Sequence, residues 1–193
     1  MGWDVAWPWL LGIFIAGYLI GAIPFGLLVV KAFGMGDVRS IGSGNIGTTN
    51  VLRTGSKLAA FLTLALDGGK GAVAVLIAWS LYGGTAAQVA ALGAFLGHLY
   101  PIWLRFKGGK GVATFLGVML ALHWPAGALC CATWLVTAVV FRFSSLSALV
   151  AAAAAPIWLV VSGGDPIIWL AVVLALLIFA KHRENIARLV SGT

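Results

Sequence analysis

LAAFLTLALDGGKGAVAVLIAWSLY, residues 58–82, is the stretch whose reading decides the fold. It is long enough to cross a bilayer, which takes about 20 apolar residues, yet Asp67 and Lys70 stand at its centre. In a soluble protein such a run would be a core helix. The rest of the chain removes that option: of 193 residues, 62% are hydrophobic and 9% charged, where a soluble domain carries about 25% charged residues. The apolar segments are continuous and do not alternate, which argues against a β-barrel. The chain reads as an all-α, polytopic membrane protein, a single domain over residues 1–193.

Apolar runs and their breakers predict seven transmembrane helices, at 9–33, 58–82, 86–104, 112–123, 125–141, 145–162 and 166–180. Charge placement orients them. With the N-terminus outside, eleven of the twelve Lys and Arg residues fall on cytoplasmic connections, while the outer side has Asp4 and Asp165. That asymmetry predicts an outside N-terminus and a cytoplasmic C-terminus. The opening MGWDVAWPW has an acid and no basic residue, so it does not read as a signal peptide. The net charge of +7 follows from the positive-inside bias and implies no nucleic acid. Nine tryptophans sit mostly near span ends, as membrane anchors do. Cys130 and Cys131 are adjacent in a span and read as small apolar fillers, because neighbouring cysteines rarely form an unstrained disulfide.

Two spans do not look like simple anchors. The stretch 112–123 is short, and 58–82 is interrupted by Asp67-Gly68-Gly69-Lys70-Gly71. A charge at mid-membrane costs about 2.5–3.5 kcal/mol on insertion scales and faces protein or water. Short and broken helices of this kind line cavities, so a polar site facing the cytoplasm is expected among them. Asp67 and Lys70, at i and i+3, could instead neutralise each other within the bundle.

Three polar clusters are candidates for that site. The first is RSIGSGNIGTTNVLR (39–53), where Gly42, Gly44 and Gly47 alternate with Ser43, Asn45, Thr48, Thr49 and Asn50 between two arginines. Glycines let successive N–H groups share a concavity, hydroxyls and amides add neutral donors, and Arg53 adds a bidentate fork. That inventory suits a phosphate, although Gly, Ser and Asn also dominate ordinary turns. The second is FKGGKGVAT (106–114). Lys107 and Lys110 flank Gly108 and Gly109, a helix starts near Gly111, and Thr114 lies one turn in, so an anion there would meet the positive end of a helix dipole. Neither GGKG copy is a Walker A loop, because each lysine is followed by glycine and Leu64 or Leu104 stands where the pattern needs its first glycine. The third is KHRENIARL (181–189), whose His182 and Asn185 exceed what an anchor needs, together with Ser145 beside Arg142.

The sequence holds no G-x-S-x-G elbow, no metal-ligand spacing and no H-x-x-x-x-D pair. The chemistry therefore rests on positioning anions around an activated substrate, with no cofactor expected. The motifs SGNIGTTN (43–50), GHLYP (97–101) with FKGGKGVAT, and HRENIARL (182–189) resemble those of the bacterial acyl-phosphate-dependent glycerol-3-phosphate acyltransferases, the PlsY family. The resemblance covers essentially the whole chain. Thr48 departs from the alanine usual in the family.

The resemblance implies a reaction: the 1-hydroxyl of glycerol 3-phosphate attacks a long-chain acyl phosphate, giving lysophosphatidic acid and phosphate on the cytoplasmic side of the bacterial inner membrane. It also implies roles. Ser43, Asn45 and Thr49 would lie near the donor phosphate beside Gly108–Gly111, while Arg53, Lys110, Ser145, His182 and Asn185 would hold glycerol 3-phosphate. The family resembles a case in which a substrate phosphate takes the hydroxyl proton, with His182 as the other candidate base. No obligate protein partner is implied. Two other classes fit the composition. A transporter of phosphate or an organophosphate would use the broken helices but needs a polar outer path, and a membrane scaffold leaves the three motifs unexplained.

Overall fold

A computed structural model describes residues 6–192, so Asp4 and Thr193 lie outside the described residues. Among the described residues all regular structure is helical. The helices are α1 (Trp7–Gly21), α2 (Phe25–Ala32), α3 (Thr48–Leu52), α4 (Lys57–Leu99), α5 (Val112–Leu122), α6 (Trp124–Phe141), α7 (Ser144–Ser162), α8 (Ile168–Lys181) and α9 (Arg183–Ser191). Among the described residues, four helical runs are long and apolar enough to cross a membrane: Trp7–Ala32, Lys57–Leu104, Trp124–Phe141 and Ser144–Ser162. A bent pair, α8 with α9 at 63°, makes up to five, and α5 is a shorter apolar helix. The chain divides into two compact units, Met1–Val118 and Met119–Thr193.

In the first unit, the interruption expected at Asp67–Gly71 does not occur. The helix runs straight through these residues and breaks at Gly83, whose φ of 81° and ψ of −171° are non-helical. Glycine in a helix costs about 1 kcal/mol in water, but an apolar setting offers the backbone no competing partner, so intrahelical bonds persist. Packing also uses the glycines. A Cβ on Gly71 would meet Thr114 Cγ2 at 2.9 Å and Val118 Cγ2 at 3.0 Å, and one on Gly117 would run into the Gly68 carbonyl. Thus α4 and the start of α5 approach at backbone distance because small residues face each other.

The same device joins α1 to the second half of α4. Gly17 and Gly21 abut the backbone of Ala90 and Ala94, while Gly93 and Gly97 abut Phe14 and Tyr18. The Tyr18 hydroxyl ties this pair to the chain beyond α4 by donating to the Tyr100 carbonyl at 2.6 Å. The span expected at 9–33 is itself divided, because Pro24 cannot donate an intrahelical bond and α1 ends before it. Segment 38–51 has its own core, in which Val38, Ile46 and Val51 are buried with Val29, Val30, Ala59 and Ala60.

In the second unit α7 packs on both α6 and α8. Trp158 Nε1 donates to Thr133 Oγ1 at 3.0 Å, a polar tie between two apolar helices. The α6–α7 connection turns at Arg142, a non-glycine residue with φ of 61°. Between α7 and α8 the chain turns at Gly163, with φ of 78°.

Candidate active site

The first loop is organised around Asn50, which is 2% exposed. Its Nδ2 donates to the carbonyls of Val38 at 2.8 Å, Ile41 at 3.1 Å and Asn45 at 2.8 Å. Its Oδ1 accepts from Ser43 N–H at 3.2 Å and from Arg53 Nη1 at 3.2 Å. The amide therefore acts as an internal brace for the loop. Gly42 and Gly44 hold left-handed φ values of 54° and 66°, which is why glycine recurs here. Asn45 Oδ1 accepts from Gly47 N–H at 2.9 Å, shaping the turn that opens α3. Ser43, Thr49 and Arg53 stay exposed around this frame.

Arg39, the other arginine bounding the loop, is engaged in an ion pair the sequence reading did not anticipate. Its Nε and Nη2 grip Asp37, the shortest contact being 2.6 Å. Hydrogen bonding from Arg39 holds the Asp37 carboxyl down at about 2, so this pair stays charged at any pH at which the cell lives.

The second loop hangs from the end of α4. Gly108 N–H donates to the Leu99 carbonyl at 3.2 Å and Gly109 N–H to the His98 carbonyl at 3.1 Å. These two amides, expected to face an anion, are committed to holding the loop in place. Arg105 and Phe106 before them both adopt left-handed φ, 51° and 62°, an uncommon state for residues with a Cβ. Lys107 is exposed, Lys110 half-buried, and Gly111 buried with φ of 86°. The N–H groups that open α5 begin at Val112, where the positive end of the helix dipole lies.

Thr114, expected to offer a hydroxyl to an anion, is fully buried and donates to the Asp67 carbonyl at 2.9 Å. Its hydroxyl fastens α5 to α4. The first GGKG copy is equally structural. Lys70 Nζ donates to Asp67 Oδ1 at 2.7 Å and to the Ile23 carbonyl at 2.7 Å, an acceptor exposed by the helix break before Pro24.

The structure brings the two loops to one cleft of about 450 Å³, lined by Arg39, Gly44, Ile46, Trp103, Leu104, Arg105, Lys107 and Gly108. In the second unit, His182 stands at the bend between α8 and α9 and is 3% exposed. Its Nδ1 lies 2.8 Å from the Ile178 carbonyl. A carbonyl only accepts, so a neutral His182 carries its proton on Nδ1 and Nε2 is the basic nitrogen. Ser145, in the first turn of α7, and Asn185, in the first turn of α9, are half-buried.

A family model described as glycerol-3-phosphate acyltransferase matches residues 11–192. Among curated proteins, the chain is similar to a glycerol-3-phosphate acyltransferase of Cereibacter sphaeroides, 60% identical over 93% of this chain and 85% of the relative. It is also similar to one of Ruegeria pomeroyi, 63% identical over 93% of this chain and 88% of the relative. A crystal structure of PlsY, an integral membrane glycerol 3-phosphate acyltransferase in its glycerol 3-phosphate form, superposes with a TM-score of 0.89 at 39% identity, covering 95% of this chain and 92% of that one. A second, in the lysophosphatidic acid form, gives 0.86 at 36% identity, with the same coverage. The chain belongs to the glycerol-3-phosphate acyltransferase family.

Proposed function

We infer that this chain transfers a fatty acyl group to glycerol 3-phosphate, giving lysophosphatidic acid, as an integral membrane enzyme. The observation that carries this reading is the pair of Gly-rich loops lining one basic cleft, in a chain whose family relatives bear that activity by name. Hydrogen bonds from Asn50 and to the end of α4 hold the backbones of both loops in place.

The donor is proposed to be an acyl phosphate. It is a mixed anhydride and brings its own activation, which suits a chain without an H-x-x-x-x-D pair. In the step, the 1-hydroxyl oxygen bonds to the acyl carbon, the carbonyl–phosphate C–O bond breaks, and the electron pair leaves with phosphate. The hydroxyl proton departs on that phosphate. His182 Nε2 is the alternative acceptor, a role its tautomer supports.

Ser43, Asn45 and Thr49 are assigned to the donor phosphate, with the donors at the start of α5. Arg53, Lys110, Ser145, His182 and Asn185 are assigned to glycerol 3-phosphate. Gly44, Asn50, Lys107, Gly108, Gly109, Gly111 and Thr114 keep parts in the site, several of them through the loop frame and not by direct contact. Seven crossings, an outside N-terminus and a cytoplasm-facing site in the bacterial inner membrane complete the proposal, on the charge bias of the connections.

The test offers purified protein palmitoyl phosphate, palmitoyl-CoA and palmitoyl-carrier protein in turn, each with glycerol 3-phosphate. Phosphate release and ester formation with the acyl phosphate alone are expected. Comparable turnover with a thioester would overturn the donor assignment, and no turnover with any donor would overturn the function.

A further inference from the structure

A buried chain of charged and polar groups runs from the first GGKG copy to the second. His98, on the last turn of α4, is 4% exposed. Its Nδ1 stands 3.6 Å from Asp67 Oδ1, and that same oxygen accepts from Lys70 Nζ at 2.7 Å. The other edge of the ring lies against Gly109: a Cβ built there would run into Nε2 and come within 2.8 Å of Cε1 and 3.1 Å of Cδ2. The His98 carbonyl accepts from Gly109 N–H at 3.1 Å, so His98 holds this glycine through both its backbone and its ring. Lys70 is tied in turn to the Ile23 carbonyl and stacks 5.7 Å from the Phe25 ring.

An ion pair needed only to neutralise two charges in a membrane helix would not require a histidine beside it. Nor would a loop already hung by two amides require a ring against a glycine. We propose that His98 is a positioning residue for the anion-binding loop, and that the Lys70–Asp67 pair fixes its ring so that Gly109, and hence Lys110 and the start of α5, are set for substrate. Gly109 is glycine because the ring occupies the space of a side chain. This rests on the reading of 107–111 as a substrate-phosphate loop, and the experiment separates the two.

Full-length protein in detergent is assayed for kcat, KM for acyl phosphate and glycerol 3-phosphate, and thermal unfolding. Lys110→Ala tests the loop reading itself: activity near wild type there would overturn that reading and with it this one. The double variant Asp67→Leu/Lys70→Met replaces the buried pair by apolar groups of similar size, a change that often leaves stability intact. It is expected to unfold within a few degrees of wild type yet show KM raised about fivefold or more, with kcat reduced less. Wild-type KM in that variant, with Lys110→Ala inactive, would overturn the positioning role alone.

Should the double variant fail to fold, a cycle of Gly109→Ala and His98→Ala decides. Gly109→Ala should be severe with the ring present and cost at least fivefold less in kcat/KM when the ring is gone. Strictly additive losses would show that ring and glycine act independently and would overturn the proposal.

Discussion

Asn50 works from inside its loop. Its Nδ2 is shared among three carbonyls, two of them nine and twelve residues upstream. Asn50→Asp keeps the shape but turns that donor into an acceptor facing three acceptors, with about 1–3 kcal/mol at stake for each buried group left unsatisfied. A clear fall in Tm together with near-complete loss of activity is expected, and wild-type values for both would disprove the bracing role. Arg53, which donates to Asn50 at 3.2 Å, makes a different prediction. Phosphate recognition by a planar fork cannot be supplied by an ammonium point charge. Arg53→Lys should therefore be impaired nearly as badly as Arg53→Ala. A lysine variant keeping more than about half of wild-type kcat/KM would have lost less than ~0.4 kcal/mol of transition-state binding, and the fork reading would fail. The sequence made Arg53 and Asn50 conspicuous as polar residues beside glycines. It did not tell a residue aimed at substrate from one aimed at its own loop, because the carbonyls that decide this lie far back along the chain.

The two GGKG copies show the same ambiguity at the scale of helices. Identical tetrapeptides lie in a helix interior, at 68–71, and in a loop, at 108–111. Flanking length separates them only partly: the interruption expected at the first copy is absent, while the gap left between the expected spans 58–82 and 86–104 does hold the break at Gly83. What the sequence reading lacked was the partner helix: Gly68 and Gly71 are glycine because α5 lies on them. The lengths of α5 and α6–α8 were legible, since apolar runs bounded by Pro, Gly and charge mark helix ends directly. The break before Pro24 was equally available in principle, but it lay inside an uninterrupted apolar run. A contrast within one tetrapeptide checks the packing account. A Cβ on Gly69 meets nothing within 4 Å, whereas one on Gly71 meets Thr114 and Val118 at 3.1 Å or less. Gly69→Ala should be neutral or stabilise by up to about 1 kcal/mol through helix propensity. Gly71→Val should destabilise by about 1–3 kcal/mol through overpacking. Thermal unfolding of the two variants in one detergent gives the comparison, and an equal effect of both would refute it.

The number and direction of crossings belong to the whole molecule. Helix length and composition give four or five candidate spans among the described residues, whereas the apolar runs and their breakers, oriented by the charge bias, call for seven. The difference lies where helices are joined or short: Lys57–Leu104 becomes two crossings if the break at Gly83 reaches the outer surface, and α5 becomes one if its 11 residues suffice where the bilayer or its neighbours accommodate it. Both cases can be decided by labelling. In a chain with Cys130 and Cys131 replaced by alanine, single cysteines are placed at Lys57, Gly84, Lys107, Trp124, Asp165 and Arg188. At Gly84 a Cβ meets nothing within 4 Å, and the other five sites are exposed. A membrane-impermeant maleimide applied to intact spheroplasts should reach Gly84→Cys, Trp124→Cys and Asp165→Cys. Lys57→Cys, Lys107→Cys and Arg188→Cys should react only after the membrane is permeabilised. Labelling of Gly84→Cys on the same side as Lys57→Cys and Lys107→Cys would remove two crossings and make Lys57–Leu104 a hairpin buried from one face. Labelling of Trp124→Cys on the side of Lys107→Cys would leave α5 as a re-entrant helix. In either outcome the site loops would keep their local frames, because those are held within the first unit by Asn50 and His98, but the positive-inside argument for the membrane layout would fall.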